Sequence, residues 1–165
     1  MAVNVAFTSP VNKPGQEPYL SAEDVWSGIL DSVRRPEEFV DYIAETEILE
    51  DTGLALKRIL HFVPGGSHGA PGGRLEQDIT IVPEFKVEFV AATTGKATLM
   101  VSNEADIHGS DGQVYMTQCF EVAYPEGVAP GSEAAVKQFN HLSGVARRNV
   151  LSNIQSFRDL KSKKP

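Results

Sequence analysis

A chain of 165 residues, 41% apolar and 22% charged, fits one globular domain with room for a sizeable core. Its formal charge of −7 speaks against a nucleic-acid partner, which needs clustered Lys and Arg, and the one basic run, at 161–164, reads as a solubilising tail. No apolar run reaches membrane-spanning length, residues 1–7 lack the segments of a signal peptide, and the single Cys119 has no partner for an intramolecular disulfide, so a cytoplasmic, reducing setting is expected.

Residues 3–11 (VNVAFTSPV) are β-prone and form the first predicted strand. A Pro- and Gly-rich loop follows at 12–18. Ser21 opens a helix, with Asp24 three residues on in a capping-box arrangement. Val25, Trp26, Ile29, Leu30 and Val33 make its apolar face. Pro36 stops it and starts a second short helix. Strands are then predicted at 43–50, 54–63, 75–82, 85–91, 96–107 and 113–124. Turns at 51–53, 93–95 and 108–112 and a glycine-rich loop at 64–73 separate them. The loop glycines do not follow the order of a phosphate-binding loop.

Ser132 then caps a helix running to about Lys161, roughly twice the average length. Val136, Phe139, Leu142, Val150, Ile154 and Phe157 fall on one side of it. The order is one strand, two short helices, six strands and a long helix. Short turns between strands imply one antiparallel sheet, and the long helix is expected across its concave face. A helix crossing a strongly curved sheet leaves a cavity.

This order resembles the helix-grip fold of the START and Bet v 1-like superfamily, which includes polyketide cyclases. The run Val114-Tyr115-Met116-Thr117-Gln118-Cys119-Phe120-Glu121, with its tyrosine, threonine and glutamate, is similar to a strand of the AtaL-like family. Residues 56–62 (LKRILHF), Val101-Ser102-Asn103 and the long last helix add to the likeness, which covers nearly the whole chain as a single domain, 1–165. The resemblance implies an α+β helix-grip fold: a curved seven-stranded antiparallel sheet, two short helices and a C-terminal helix enclosing a cavity.

Alternation assigns the faces. Leu56, Arg58, Leu60 and Phe62 are the more apolar set of their strand and are expected inward. Leu75, Gln77, Ile79 and Ile81 go inward by the same logic, as do Phe85, Val87 and Phe89, and Ala97, Leu99, Val101 and Asn103. The last strand is ambiguous. Alternation alone favours Met116, Gln118, Phe120 and Val122; the resemblance favours Tyr115, Thr117, Cys119 and Glu121.

With the tyrosine face inward, the cavity holds three candidate catalytic groups. Arg58 would bind a carboxylate or enolate through its planar fork. A desolvated Glu121 would act as acid or base, and Tyr115 would donate to a carbonyl. Gln77, Asn103, Thr117, Phe85, Phe89 and His141 are the expected ligand contacts. An Arg–Glu pair on a sheet is more often a structural salt bridge. His61, His68, His108 and His141 lack metal-ligand spacing, so no metal and no cofactor is expected. Three functions fit: a cofactor-independent cyclase, dehydratase or isomerase of a polyketide-like metabolite; a carrier of an apolar or aromatic ligand; and a docking protein. The first is favoured, with an apolar small molecule as partner, no nucleic acid or membrane, and a monomer or homodimer.

Overall fold

The structure is a computed structural model that describes residues 2–65, 73–92, 95–104 and 112–163. Seven antiparallel strands form one open sheet: β1 (Ala2–Pro10), β2 (Ile43–Asp51), β3 (Ala55–Phe62), β4 (Arg74–Val82), β5 (Lys86–Ala91), β6 (Gly95–Asn103) and β7 (Val114–Ala123). Their spatial order is β1-β7-β6-β5-β4-β3-β2, so β1 and β2 are the edges. Helix α1 (Ala22–Arg34), a 3-10 turn at Pro36–Glu38 and the long α2 (Glu133–Ser162) complete a helix-grip fold. The glycine loop, the turns at 93–95 and 108–112, residues 105–107, His68 and His108 lie wholly or partly outside the described residues.

Both helix starts follow local chemistry. Ser21 Oγ accepts from the Asp24 amide at 3.1 Å while Asp24 Oδ2 accepts from the Ser21 amide at 2.8 Å, a complete capping box. Ser132 Oγ accepts from the Ala135 amide at 3.3 Å. The C-terminal half of α2 is clamped. Arg158 Nη2 donates to Val11 O at 2.9 Å, and Lys161 Nζ reaches Tyr19 O at 2.9 Å and Asp24 Oδ2 at 2.6 Å. The loop beneath is held by Asn12, whose amide both donates to Leu20 O and accepts from Leu20 N.

The main core lies between α1, this half of α2 and the sheet, with Ile29, Val33, Val87, Met116, Val150 and Phe157 at its centre. The apolar stripe foreseen along all of α2 is buried only there. Val136 and Phe139, near the helix start, are 51% and 48% exposed.

Register settles the face of β7 against the tyrosine side. Residues directly opposed in an antiparallel ladder share a face. Met116 opposes Val101 and Gln118 opposes Leu99, both inward residues of β6. Tyr115, Thr117 and Glu121 oppose Ser102, Met100 and Lys96 and point outward.

Where the helices touch, the fit leaves no room for a methyl group. A Cβ on Gly28 would stand 2.5 Å from the Phe157 ring, which is buried and packs edge-on against Phe39. Gly28→Ala is therefore expected to destabilise the fold: overpacking costs about 1–3 kcal/mol and outweighs the helix-propensity gain of about 1 kcal/mol. A urea midpoint that falls supports this packing; one that stays or rises contradicts it.

Candidate functional site

Between the sheet and the N-terminal half of α2 lies a cavity of about 650 Å³. Its sheet wall carries Arg58, Gln77, Phe89, Ala97, Gln118 and Phe120. Helix α2 contributes Gln138, His141, Leu142, Val145, Asn149 and Asn153, a stripe at steps of three or four residues beside the core stripe. A few polar groups in a mostly apolar concavity is the ordinary form of a small-molecule site.

Arg58 is the most constrained of these groups. It is 4% exposed. Its Nε and Nη2 both donate to Gln77 Oε1, at 3.0 and 2.8 Å, because Arg58 and Gln77 are directly opposed on β3 and β4. Its Nη1 donates to Val33 O at the C-terminal end of α1, where the helix dipole favours a cation. The guanidinium also lies over the Phe89 ring, 5.5 Å from its centre. All these partners are neutral, and no carboxylate among the described residues forms an ion pair with Arg58. Burial lowers its pKa from the ordinary arginine range to about 10, with Glu37 and Tyr42 opposing at longer range. The group therefore stays charged at neutral pH.

Tyr42, which precedes β2, stacks on Phe62 with ring centres 6.4 Å apart and also lines the cavity. Burial pushes its phenol above the ordinary tyrosine range, against the pull of Arg148 and Arg58. At neutral pH it is a hydrogen-bond donor.

The expected site residues divide. Arg58, Gln77, Phe89 and His141 line the cavity, His141 as an exposed residue at its rim. Tyr115, Thr117 and Glu121 do not, because β7 presents its other face. Tyr115 Oη donates to Glu104 Oε1 at 3.0 Å, and Thr117 shares a 2.8 Å hydroxyl contact with Thr8, both on the outer side. Glu121 is exposed there beside Asn4 and Lys96. Phe85 is also displaced. Glu84, at φ 60°, turns the chain before β5 begins, and Phe85 sits in that turn, 50% exposed. Asn103 closes β6 opposite Val114, at the far end of the strand from cavity-lining Ala97.

Residues that the sequence reading left out are Tyr42, Gln118, Gln138, Asn149 and Asn153. Gln118 stood on the face that alternation preferred, and the α2 amides were legible as a second helical stripe. No metal-binding cluster of His, Cys, Asp or Glu occurs among the described residues.

Comparison with known proteins agrees with this architecture. The family model described as acetylaranotin biosynthesis cluster protein L matches residues 5–164. The chain is 28% identical over 162 residues to the protein of that name from Aspergillus terreus, covering 94% of this chain and 89% of the relative. Among solved structures, the Zhui aromatase/cyclase from Streptomyces sp. superposes with a TM-score of 0.59 at 16% identity, covering 99% of this chain and 95% of that one. Norcoclaurine synthase from Thalictrum flavum gives 0.61 at 16% identity, covering 99% and 89%. At such identities the structural likeness establishes the shared fold. The family-model match spans nearly the whole sequence, and the chain belongs to the family of acetylaranotin biosynthesis cluster protein L.

Proposed function

We infer that the cavity takes an apolar specialised metabolite bearing an anionic or enolisable oxygen, and that the protein acts on it without a cofactor as a cyclase, dehydratase or isomerase. Arg58 carries this reading: a buried cation on the wall of an apolar hollow, with only neutral partners. An enolate or carboxylate oxygen entering the cavity would supply the missing negative charge in a place where water screens little. The biosynthetic-cluster relative supports a role in specialised metabolism. The fold shared with an aromatase/cyclase and with norcoclaurine synthase supports this reading.

In this reading Arg58 binds the oxygen on which charge develops, and Gln77 fixes the plane of its guanidinium. Tyr42, kept protonated by burial, donates to a carbonyl of the same ligand. His141, at the rim, is the imidazole placed to take or return a proton. Glu121 and Tyr115 have no part, since both face away. One observation favours a second reading, a carrier without chemistry: no Asp or Glu is found among the described residues lining the cavity.

Arg58→Met separates the two duties of this side chain. Fluorescence titration with anilinonaphthalene sulfonate, an anionic apolar probe, is expected to show at least about tenfold weaker binding to the variant. The uncharged phenylnaphthylamine is expected to bind both proteins alike. Equal loss of both probes, or loss of neither, removes Arg58 as an anion anchor. Glu121→Gln serves as the outer-face control and should change neither titration.

Stability is expected to move the other way. The drop in the Arg58 pKa to about 10 corresponds to about 3 kcal/mol of unfavourable burial. For a base with a lowered folded-state pKa, this cost holds at every pH below about 10 and fades as the pH rises beyond it towards the ordinary arginine range. Replacing the pair together, as Arg58→Met with Gln77→Leu, should leave the urea midpoint at pH 7 unchanged or raise stability by up to about 4 kcal/mol. A marked fall would make the pair structural rather than a site for a ligand.

A further inference from the structure

The inward row of β7 is Val114, Met116, Gln118, Phe120 and Val122, a single amide among apolar side chains. Gln118 is 8% exposed. Across the ladder it faces Leu99 on β6 and Phe7 on β1, neither of which has a polar side-chain atom. Its Oε1 is buried with no donor among the described residues. A leucine would continue the row and leave nothing unpaired. A buried amide oxygen without a donor is costly, and such a group in a native fold calls for a cause.

The same cavity holds a second case. Gln138 Oε1 on α2 is also buried without a donor, and Gln138 Nε2 reaches only Ala123 O, at 3.5 Å. Of the four buried polar side-chain atoms without partners among the described residues, two are these amide oxygens, on two residues that line the cavity. The other two belong to Arg158, which is not among the lining residues. The unmet hydrogen bonding in the hollow is thus mainly a demand for donors.

We propose that Gln118 reads a hydroxyl group on the ligand, at the end remote from the oxygen that Arg58 holds. Arg58 stands on β3 and Gln118 on β7, with β4, β5 and β6 between them, so they address opposite ends of whatever lies in the hollow. A hydroxyl both donates and accepts, so it serves the amide in either rotation about its last torsion. A ketone or carboxylate only accepts and would leave Oε1 unpaired. The ligand class is therefore a hydroxylated aromatic or alicyclic acid or enol, rather than a chain bearing carbonyls alone. This rests on the reading of Arg58 given above for the identity of the opposite end.

The test uses two rigid probes, biphenyl carboxylate and its para-hydroxylated counterpart, in which the two polar groups lie at opposite ends. Calorimetric titration of the wild-type protein is expected to show about fivefold to tenfold tighter binding of the hydroxylated probe. Gln118→Met, a near-isosteric change, should bring that ratio to about one while leaving the affinity for biphenyl carboxylate unchanged or improved. A wild-type ratio near one, a ratio that survives in Gln118→Met, or no binding of either probe overturns the proposal. The wild-type ratio needs no variant, so a poorly folding Gln118→Met does not shield it. Phenylphenol against biphenyl repeats the comparison without the carboxylate. If Arg58→Met proves indifferent to the carboxylate while the hydroxyl preference persists in this neutral pair, the Arg58 reading fails and the Gln118 assignment stands.

Discussion

A helix of 30 residues is a rod about 45 Å long, and a rod cannot follow a curved sheet along its whole length. Everything distinctive here follows from where the two meet. The C-terminal half of α2 is pressed onto the sheet and α1 by Val150, Ile154 and Phe157, and fastened by Arg158 and Lys161 to the loop before α1. The N-terminal half stands off, so Leu142, Val145 and two asparagines look into a hollow instead of a packed core. Gly28 shows how tight the closed end is, and the 650 Å³ beside Arg58 shows how open the other end is.

The hollow gives the polar groups on its wall their force. In water a guanidinium over an aromatic ring is a weak contact; buried, it is a fixed charge whose attraction for an anion is little screened. Gln77, Val33 and Phe89 satisfy the shape of the Arg58 fork without neutralising it. The position resembles a functional compromise in which some stability is forgone for a ready electrostatic partner. Tyr42, in the same cavity, is held in the opposite sense, protonated.

Much of the fold was legible because its signals are local. The capping box of α1, the alternation in β4 and the long proline-free helix each depend on neighbours in sequence, and each gives the right element with boundaries within a residue or two. Arg58 was found because it belongs to the more apolar of the two alternating sets of its strand. What failed depended on distant partners. The face of β7 is set by pairing with β6 and β1, which lie on either side of it in space, and only one of these adjoins it in the chain. Resemblance to a tyrosine-bearing strand outweighed a weak alternation that was in fact correct, and Tyr115, Thr117 and Glu121 went to the wrong side. Phe85 continued the alternation of β5 perfectly, yet a left-handed Glu84 begins the strand one residue later. Val136 and Phe139 keep helical period, but period alone says nothing of how far along a helix the sheet reaches.

The direct measurement is nitrogen-detected NMR of the Arg58 side chain during titration with an anionic aromatic ligand. Binding inside the hollow should shift the Arg58 Nε and Nη resonances together with the Gln118 amide, and leave Glu121 and Cys119 on the outer face unmoved. Shifts confined to the outer face, with Arg58 silent at saturation, would contradict the cavity as the site.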